Sequence, residues 1–420
     1  MPYEKIFIVR LEAFLEKHKI LSSYQFGFQK NQAIDFIHGE LERRHNITGI
    51  FLDLSKAFDY VDHQLLLEKL YAYGIRGNAQ NWLKSFLVGR KQYVEINDYT
   101  LNTSYKSSLL QPQFGIPQGT VVGPILYLIY INSILYDNNP HVLKLMFADE
   151  TTCLVSSDSF ISTEIEANIT VNVLLQDFAD HNLHLNLKKT HLMHFKTNKY
   201  KTTNEPIIIL NEQELQCETQ TKFLGVFIDQ HLSFDFHIKQ LKQKLYSGIF
   251  VLRQINQIST YDSALYIYHS FIMSHISYGI EIWGGTKKSN LQSIFIIQKR
   301  ALRYLLKLNS TDSCKSHFQN LNLLTVPSLY IFKAVLLTKR LEQNLPRLGD
   351  THTYNTRNRN TLANVQHRLL LTEQNPIYMG SKFFNALPVE VKNKANTTKF
   401  LIKLKLFLVS KAFYSLDEFV

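Results

Sequence analysis

The chain is predicted to fold as an α+β protein, and three observations carry that expectation. Strand-length apolar runs ("GIFLDLS" at 49–55, "HVLKLMFA" at 141–148, "TTCLVSS" at 151–157, "THLMHF" at 190–195) alternate with helical segments over the first half of the chain. Two of these runs are separated only by Asp149 and Glu150, which makes a hairpin with the acidic pair at or near its tip. Beyond about residue 233 the apolar spacing is helical until about 345.

Taken in order, residues 6–18 read as a helix with apolar Phe7, Leu11, Phe14 and Leu15, and a second helix ends near Arg44 after an irregular "SSYQFGFQK". "GIFLDLS" has the length of a buried strand and brings Asp53 to its C-terminal end. "KAFDYVDHQLLLEKLYAYG" continues as a helix that Gly74 stops. "AQNWLKSFL" is a further helix, and "RKQYVEIN" and the segment before Gly115 alternate like strands. "GIPQGTVVGPILYLIYINSIL" breaks at Pro117 and Gly119 before an apolar helix. After the acidic hairpin come a helix through Ala179, the strand "THLMHF" and a last hairpin, "TKFLGVFID". "LPRLGDTHTYNTRNRNTLANVQ" is a polar linker. The tail "KFLIKLKLFLVSKAF" repeats Lys and apolar residues at helical spacing, which serves core packing or a Lys edge facing nucleic acid.

Composition bounds the function. With 420 residues and 45% hydrophobic content the chain can bury a core, and a formal charge of +11 suits a polyanionic partner, nucleic acid or an anionic membrane surface. Cys153, Cys217 and Cys314 are far apart and form no C-x-x-C pair, which suggests neither a zinc ribbon nor a disulfide framework and fits a reducing compartment. The run Val121–Tyr136 falls short of the roughly 20 residues of a spanning helix and holds Asn132, so it reads as a buried helix and no membrane partner is expected. The charged N-terminus has no secretory apolar core.

Asp53 and the Asp149/Glu150 pair are strand-associated carboxylates with a loop containing Gly115, Pro117 and Gly119 and a helix between them. Nucleotidyl transfer needs such a set, because carboxylates must bridge two Mg²⁺ ions that activate a primer 3′-oxygen and steady the leaving pyrophosphate. "FLDLSKAFDYVDH", "GIPQGTVVGPILY", "FADET", "LHLNLKKTHLMHF" and "KFLGVFID" follow in the order and approximate spacing of one known family. The chain resembles the reverse transcriptases of non-LTR retrotransposons, jockey-like or related long interspersed elements. "QFGF", "YGIRGNAQNWLKSFLVGRKQYV", "YGIEIWGG", "IQKRALRYLL", "YNTRNRN" and "YMGSKFFNALPVEVKN" add to the likeness.

The resemblance implies a right-hand polymerase with an antiparallel-sheet palm: residues 1–48 as partial fingers, 49–232 as palm with inserted fingers elements, 233–345 as a thumb-like helical region, and 346–420 as C-terminal linker and helical tail. It implies that Asp53, Asp149, Glu150 and the Leu54 carbonyl hold two Mg²⁺ ions, Mn²⁺ being the alternative. Phe58 becomes the aromatic gate against a ribose 2′-hydroxyl, with plain core packing as its other reading. Gln118 and Gly119 meet the incoming nucleotide, and Lys189 assists the leaving pyrophosphate, Lys188 being its solvated neighbour. Phe223, Leu224 and Gly225 form the primer-supporting hairpin. Arg90 and Lys91 are phosphate contacts or exposed charges. The implied partners are an RNA template, a DNA primer and deoxynucleotides, with a separate endonuclease or a full-length element protein acting in trans.

The chain departs from the family at several positions. Glu150 stands where Asp is usual and adds a methylene, about 1.5 Å of reach, and a 1 Å misplacement can cost on the order of 10²-fold in rate. Gln29 replaces an arginine, "NQAID" replaces a Ser-Thr pair, and Asp177 stands at a tryptophan position. The start at "MPYEKIF" leads to the expectation that basic fingers residues and an endonuclease are missing. A second reading follows: an impaired relic that binds nucleic acid without extending a primer.

Overall fold

The computed structural model describes residues 2–22, 30–135, 139–197, 204–351, 359–364, 366–392 and 397–420. In chain order the elements are α1 (Pro2–Lys17), α2 (Lys30–Glu42), β1 (Asn46–Ser55), α3 (His63–Ala72), α4 (Asn78–Leu87), β2 (Glu95–Asp98), β3 (Thr103–Lys106) and α5 (Gly123–Ile131). They continue with β4 (Val142–Phe147), β5 (Glu150–Ser157), α6 (Phe160–Asp180), β6 (His184–Leu185), β7 (His191–Phe195), β8 (Ile209–Leu210), β9 (Gln213–Glu214), β10 (Gln220–Phe223), β11 (Val226–Asp229) and α7 (Asp235–Ile258). "QFGF" and Gln29, and most of "YNTRNRN", lie outside the described residues.

Two compact units result. The first comprises Met1–Gln29, His45–Phe195 and Lys201–Glu218; the second comprises Lys30–Arg44, Lys196–Tyr200 and Thr219–Val420. The boundaries at 48 and 232 expected from the family likeness divide the chain by role, whereas the compact units place α2 and the β10–β11 hairpin with the C-terminal helices.

The first unit is organised on β1, the middle strand of a five-stranded sheet in the order β4-β5-β1-β6, with β7 also paired to β1. Ile47, Ile50, Phe51 and Leu52 of β1 are buried, as a strand flanked on both sides requires. Gly49 has a packing reason: a Cβ there would lie 2.9 Å from the Phe195 ring. α3 begins at His63 rather than at Lys56, because the Asp62 carboxylate accepts the Leu65 N–H and caps the helix. Residues 56–61 instead form a turn held by the Asp59 N–H on the Lys56 carbonyl. Gly74, at φ 88°, ends the segment where the sequence places its stop.

α5 is buried as its apolar run requires, and its polar neighbour Asn132 is satisfied at both ends. Asn132 Oδ1 accepts the Ser22 N–H at 2.9 Å, and its Nδ2 donates to the Ile20 carbonyl at 2.9 Å and to the Tyr73 hydroxyl at 3.1 Å. Met146, Val155, Val171, Leu174 and Phe178 belong to the same core, with α6 laid across the sheet.

The second unit is helical apart from the β10–β11 hairpin. Helix Lys288–Leu306 packs on α7, and helix Val326–Leu341 packs on Pro376–Ala386. α2 is fastened here by its carboxylates: Glu42 accepts from the Arg368 and Leu369 N–H groups and the Thr372 hydroxyl, and Asp35 accepts from Asn375 Nδ2 at 2.8 Å. Burial raises the Asp35 carboxyl to about 7 against the help of Asn375, and lowers the His38 imidazole to about 4.

Candidate active site

The acidic hairpin is built as its sequence suggests, with one local surprise. Phe147 pairs with Glu150, so Ala148 and Asp149 alone make the turn, and Ala148 takes φ 53°. A two-residue hairpin loop wants a positive φ at its first central position and normally takes Gly there. Ala in that conformation is held at a cost of roughly 1–2 kcal/mol. Strain of this kind persists where neighbours over-determine it. Here the neighbour is β1, whose Leu54 N–H donates to the Asp149 carbonyl at 2.9 Å.

That bond fixes the register of the carboxylates. Residues 54 and 149 face each other through a hydrogen bond, so the next pair, Asp53 and Glu150, is a close non-hydrogen-bonded pair, with Cα atoms about 4.5 Å apart in such pairs. Directly opposed residues leave the same face of a sheet, so both carboxylates emerge together, one residue from Asp149. Asp53 is half-buried while Asp149 and Glu150 are exposed. Like charges in such a pair repel. Lys189 Nζ lies 3.2 Å from Asp53 Oδ2 and offsets part of that repulsion. Lys188 is exposed and forms no ion pair within 4.0 Å among the described residues.

A second layer holds the ground behind the carboxylates. Phe58 is half-buried, and its ring stacks on Tyr127 with centroids 4.5 Å apart and planes 23° from parallel. The Tyr127 hydroxyl is buried without a hydrogen-bond partner among the described residues, and its ionisation is pushed well above the phenol range by burial first and by the Asp149 charge second.

The loop 114–119 is moored to the turn 56–63. Ile116 N–H donates to the Phe58 carbonyl at 2.9 Å and Gly115 N–H to the Val61 carbonyl at 2.8 Å. His63 Nε2 lies 2.7 Å from the Gly115 carbonyl, and Gln118 Nε2 donates to Asp59 Oδ1 at 2.9 Å. Gly115 is required there: its φ is 92°, and a Cβ would sit 3.0 Å from the Asp59 carbonyl oxygen. Gly119, at φ 80°, faces open space.

The structure therefore brings Asp53, Leu54, Asp149, Glu150 and Lys189 together, and joins Phe58 to the Gln118 loop. Arg90 is half-buried and Lys91 exposed, both at the foot of the β2–β3 hairpin. Phe223, Leu224 and Gly225 belong to the other unit, where Phe223 is buried and Leu224 and Gly225 form the β10–β11 turn. Sequence reasoning missed Asp59, His63 and Tyr127. The first two stand within "FDYVDH" as polar residues close to Asp53, while Tyr127 reads as one more apolar position of α5.

Carboxylates and a main-chain carbonyl are hard oxygen donors, the set that Mg²⁺ and Mn²⁺ prefer, so the residues present fit divalent ions. Comparison with known proteins gives the family. Residues 2–228 match the family described as reverse transcriptase (RNA-dependent DNA polymerase). The chain belongs to the reverse transcriptase family. The chain is 26% identical over 318 residues to the RNA-directed DNA polymerase from mobile element jockey of Drosophila melanogaster, covering 71% of this chain and 34% of that one. It is 27% identical over 331 residues to the probable RNA-directed DNA polymerase from transposon BS of the same organism, covering 72% and 34%. The chain spans about a third of the length of these curated relatives. Among solved structures, apo telomerase from Candida tropicalis aligns with 12% identity and a TM-score of 0.42, over 76% of this chain and 52% of that one. No helix among the described residues is long and apolar enough to cross a membrane.

Proposed function

We propose that this reverse transcriptase is an RNA-directed DNA polymerase of a non-LTR retrotransposon, extending a DNA primer on an RNA template. The observation that carries the reading is the cross-strand pairing of Asp53 with Glu150, with Asp149 on the adjoining turn. Asp53, Asp149, Glu150 and the Leu54 carbonyl would hold two divalent ions, Mg²⁺ in the first instance. When bound, such ions lower the pKa of the primer hydroxyl and stabilise charge on the leaving pyrophosphate.

The chain's own residues take the remaining roles. Phe58, braced by Tyr127, limits the space at the sugar and favours deoxynucleotides. Gln118 and Gly119 meet the incoming nucleotide, the glycine because its open flank lets a ligand approach the main chain. Lys189 Nζ, already drawn to Asp53, supplies positive charge or a proton to the departing pyrophosphate. Arg90 and Lys91 bind backbone phosphate, and the main chain of Phe223–Leu224–Gly225 supports the primer. In this reading residues 49–232 act as palm, 1–48 as part of the fingers, 233–345 as thumb and 346–420 as a C-terminal extension. The partners in this reading are an RNA template, a DNA primer and deoxynucleotides, with a separate endonuclease or a full-length element protein acting in trans.

Primer extension tests the reading: an oligo(dT) primer on a poly(A) template with Mg²⁺ and dTTP, comparing the natural chain with Asp149→Asn. Extension that the substitution abolishes supports it. No extension by the natural chain or by Glu150→Asp, with template binding intact, would leave nucleic-acid binding alone and sink the polymerase reading.

A further inference from the structure

Lys69 is the single lysine of α3, and its amino group ends among neutral partners. Nζ lies 2.6 Å from Ser133 Oγ and 2.6 Å from His181 Nε2, and those two atoms are 3.1 Å from each other. No carboxylate forms an ion pair with it among the described residues. The imidazole is oriented by its other nitrogen. His181 Nδ1 lies 2.6 Å from the Asp177 carbonyl oxygen, and a carbonyl can only accept, so Nδ1 carries the hydrogen and Nε2 turns a lone pair toward Lys69. The Tyr130 hydroxyl donates to the His181 carbonyl at 2.6 Å and fixes the residue from behind. His181 is buried, Lys69 half-buried and Ser133 exposed, so the cluster opens to solvent on the side of the hydroxyl.

An ammonium loses hydration in this place and gains no paired carboxylate in return. Burial accordingly lowers the Lys69 amine to about 8, against the more distant charge of Asp177. The His181 imidazole is also lowered, by burial first and by the Lys69 charge second, with the Asp177 carbonyl and the Asp180 charge opposing. The Tyr130 ring lies under the ammonium, its centroid 5.7 Å from Nζ. A desolvated lysine whose proton can leave to a neighbouring base is the usual form of an activated amine nucleophile. None of these residues takes part in the proposed nucleotide chemistry.

We propose that Lys69 is a nucleophilic lysine and the favoured site on this chain for acylation by thioesters, with His181 as the base that takes its proton. The neutral Nζ adds to the acyl carbon, and a C–N bond forms as the C–S bond breaks. The sulfur leaves with the electron pair as thiolate. The surplus amine proton passes to His181 Nε2 and from there to the thiolate, so that an amide and a free thiol are the products. Acylation removes the positive charge and leaves Nζ with one N–H. That single donor serves Ser133 or His181 but not both, so the modification releases one of the two bonds that tie α3 to the end of α6 and to the residue following Asn132.

Competitive labelling of the native full chain with a limiting amount of the acetyl thioester of N-acetylcysteamine, read lysine by lysine by mass spectrometry, tests this. At neutral pH Lys69 should label at least about tenfold faster than the exposed Lys84 and Lys307. The advantage should shrink as pH rises toward the ordinary lysine range and vanish in guanidinium chloride. His181→Gln should slow Lys69 at least about threefold, whereas Ser133→Ala should leave it within about twofold, with far-UV circular dichroism and melting curves reporting the fold. Where a variant fails to fold, the pH–rate profile of the natural chain decides: the Lys69 rate should rise to a plateau through about pH 8. Labelling no faster than at the exposed lysines, an advantage that survives unfolding, label on Ser133 in place of Lys69, an unchanged rate in folded His181→Gln, or a profile like that of Lys84 overturns the inference.

Discussion

Two of the hairpins that turn on two residues are held in opposite ways. At Ala148-Asp149 the first turn residue is left-handed without being glycine, and the turn is secured by main chain, the Leu54 N–H on the Asp149 carbonyl. At Leu224-Gly225 both residues have positive φ, 45° and 79°, and the turn is secured by a side chain: the Tyr278 hydroxyl donates to the Leu224 carbonyl at 2.7 Å. The Tyr278 ring closes over Gly225, where a Cβ would meet it at 3.1 Å. The second turn is covered, and its glycine exists to be covered. The first is gripped from behind and leaves a carboxylate exposed in front. A turn proposed to hold ions must be fixed without being occluded, and a backbone hydrogen bond does both.

The sharpest way to break the comparison is Asp149→Asn or Asp53→Asn, which should lower primer extension about 10³-fold or more while leaving the melting temperature near that of the parent. A turn that merely connects strands would lose nothing. Next in size is a pH effect confined to the second unit. Because the folded Asp35 carboxyl is raised from 3.8 to about 7, the fold binds the extra proton and stability is lost as pH rises through that window. His38, lowered from 6.5 to about 4, acts with the opposite sign between those values and offsets most of the loss there. Asp35→Asn should therefore gain on the parent progressively up to about pH 7, by on the order of 4 kcal/mol at most, as denaturant melts across pH would measure. Equal pH profiles for the two proteins would refute it.

Glu150→Asp comes third. If the added methylene displaces the carboxylate opposite Asp53, shortening it raises the extension rate by up to about 10²-fold, and steady-state rates at saturating dTTP would record it. Gly225→Ala should cost about 1–2 kcal/mol of stability, from its left-handed φ and the Tyr278 ring, and, because Gly225 belongs to the hairpin proposed to support the primer, should raise the KM for primer. Smallest is Ala148→Gly. Relief of the left-handed strain is balanced against extra chain entropy, so stability should move by less than about 1 kcal/mol, yet extension should fall because Asp149 is less firmly placed. Unchanged extension would show that the strain serves no purpose.

Much of the site was legible because it rests on local pattern. Asp53 ends an apolar run, Asp149 and Glu150 separate two others, and strand pairing then forces the three toward one another. What escaped notice depends on contacts distant in sequence. Nothing in Tyr127 distinguishes it from its apolar neighbours until Phe58 stacks on it and Asp149 comes near. His63 reads as an ordinary helix start, but it binds the carbonyl of Gly115 across 52 positions. The partition of the chain was hidden for the same reason. α2 precedes β1, yet Glu42 and Asp35 bond to residues 368–375, and no local pattern announces a partner more than 300 residues away.

The central place of β1 also sets an order of assembly. Its pairing partners lie at 150–157, at 184–185 and at 191–195, so the strand that carries Asp53 stays incomplete on one flank until Phe195 has left the ribosome. Closing loops of this length is slow compared with forming helices. During synthesis, then, Asp53 and the hairpin of Asp149 emerge well before the sheet that aligns them is whole, and a nascent chain halted before residue 191 would carry the proposed metal-binding carboxylates without a finished frame to hold them.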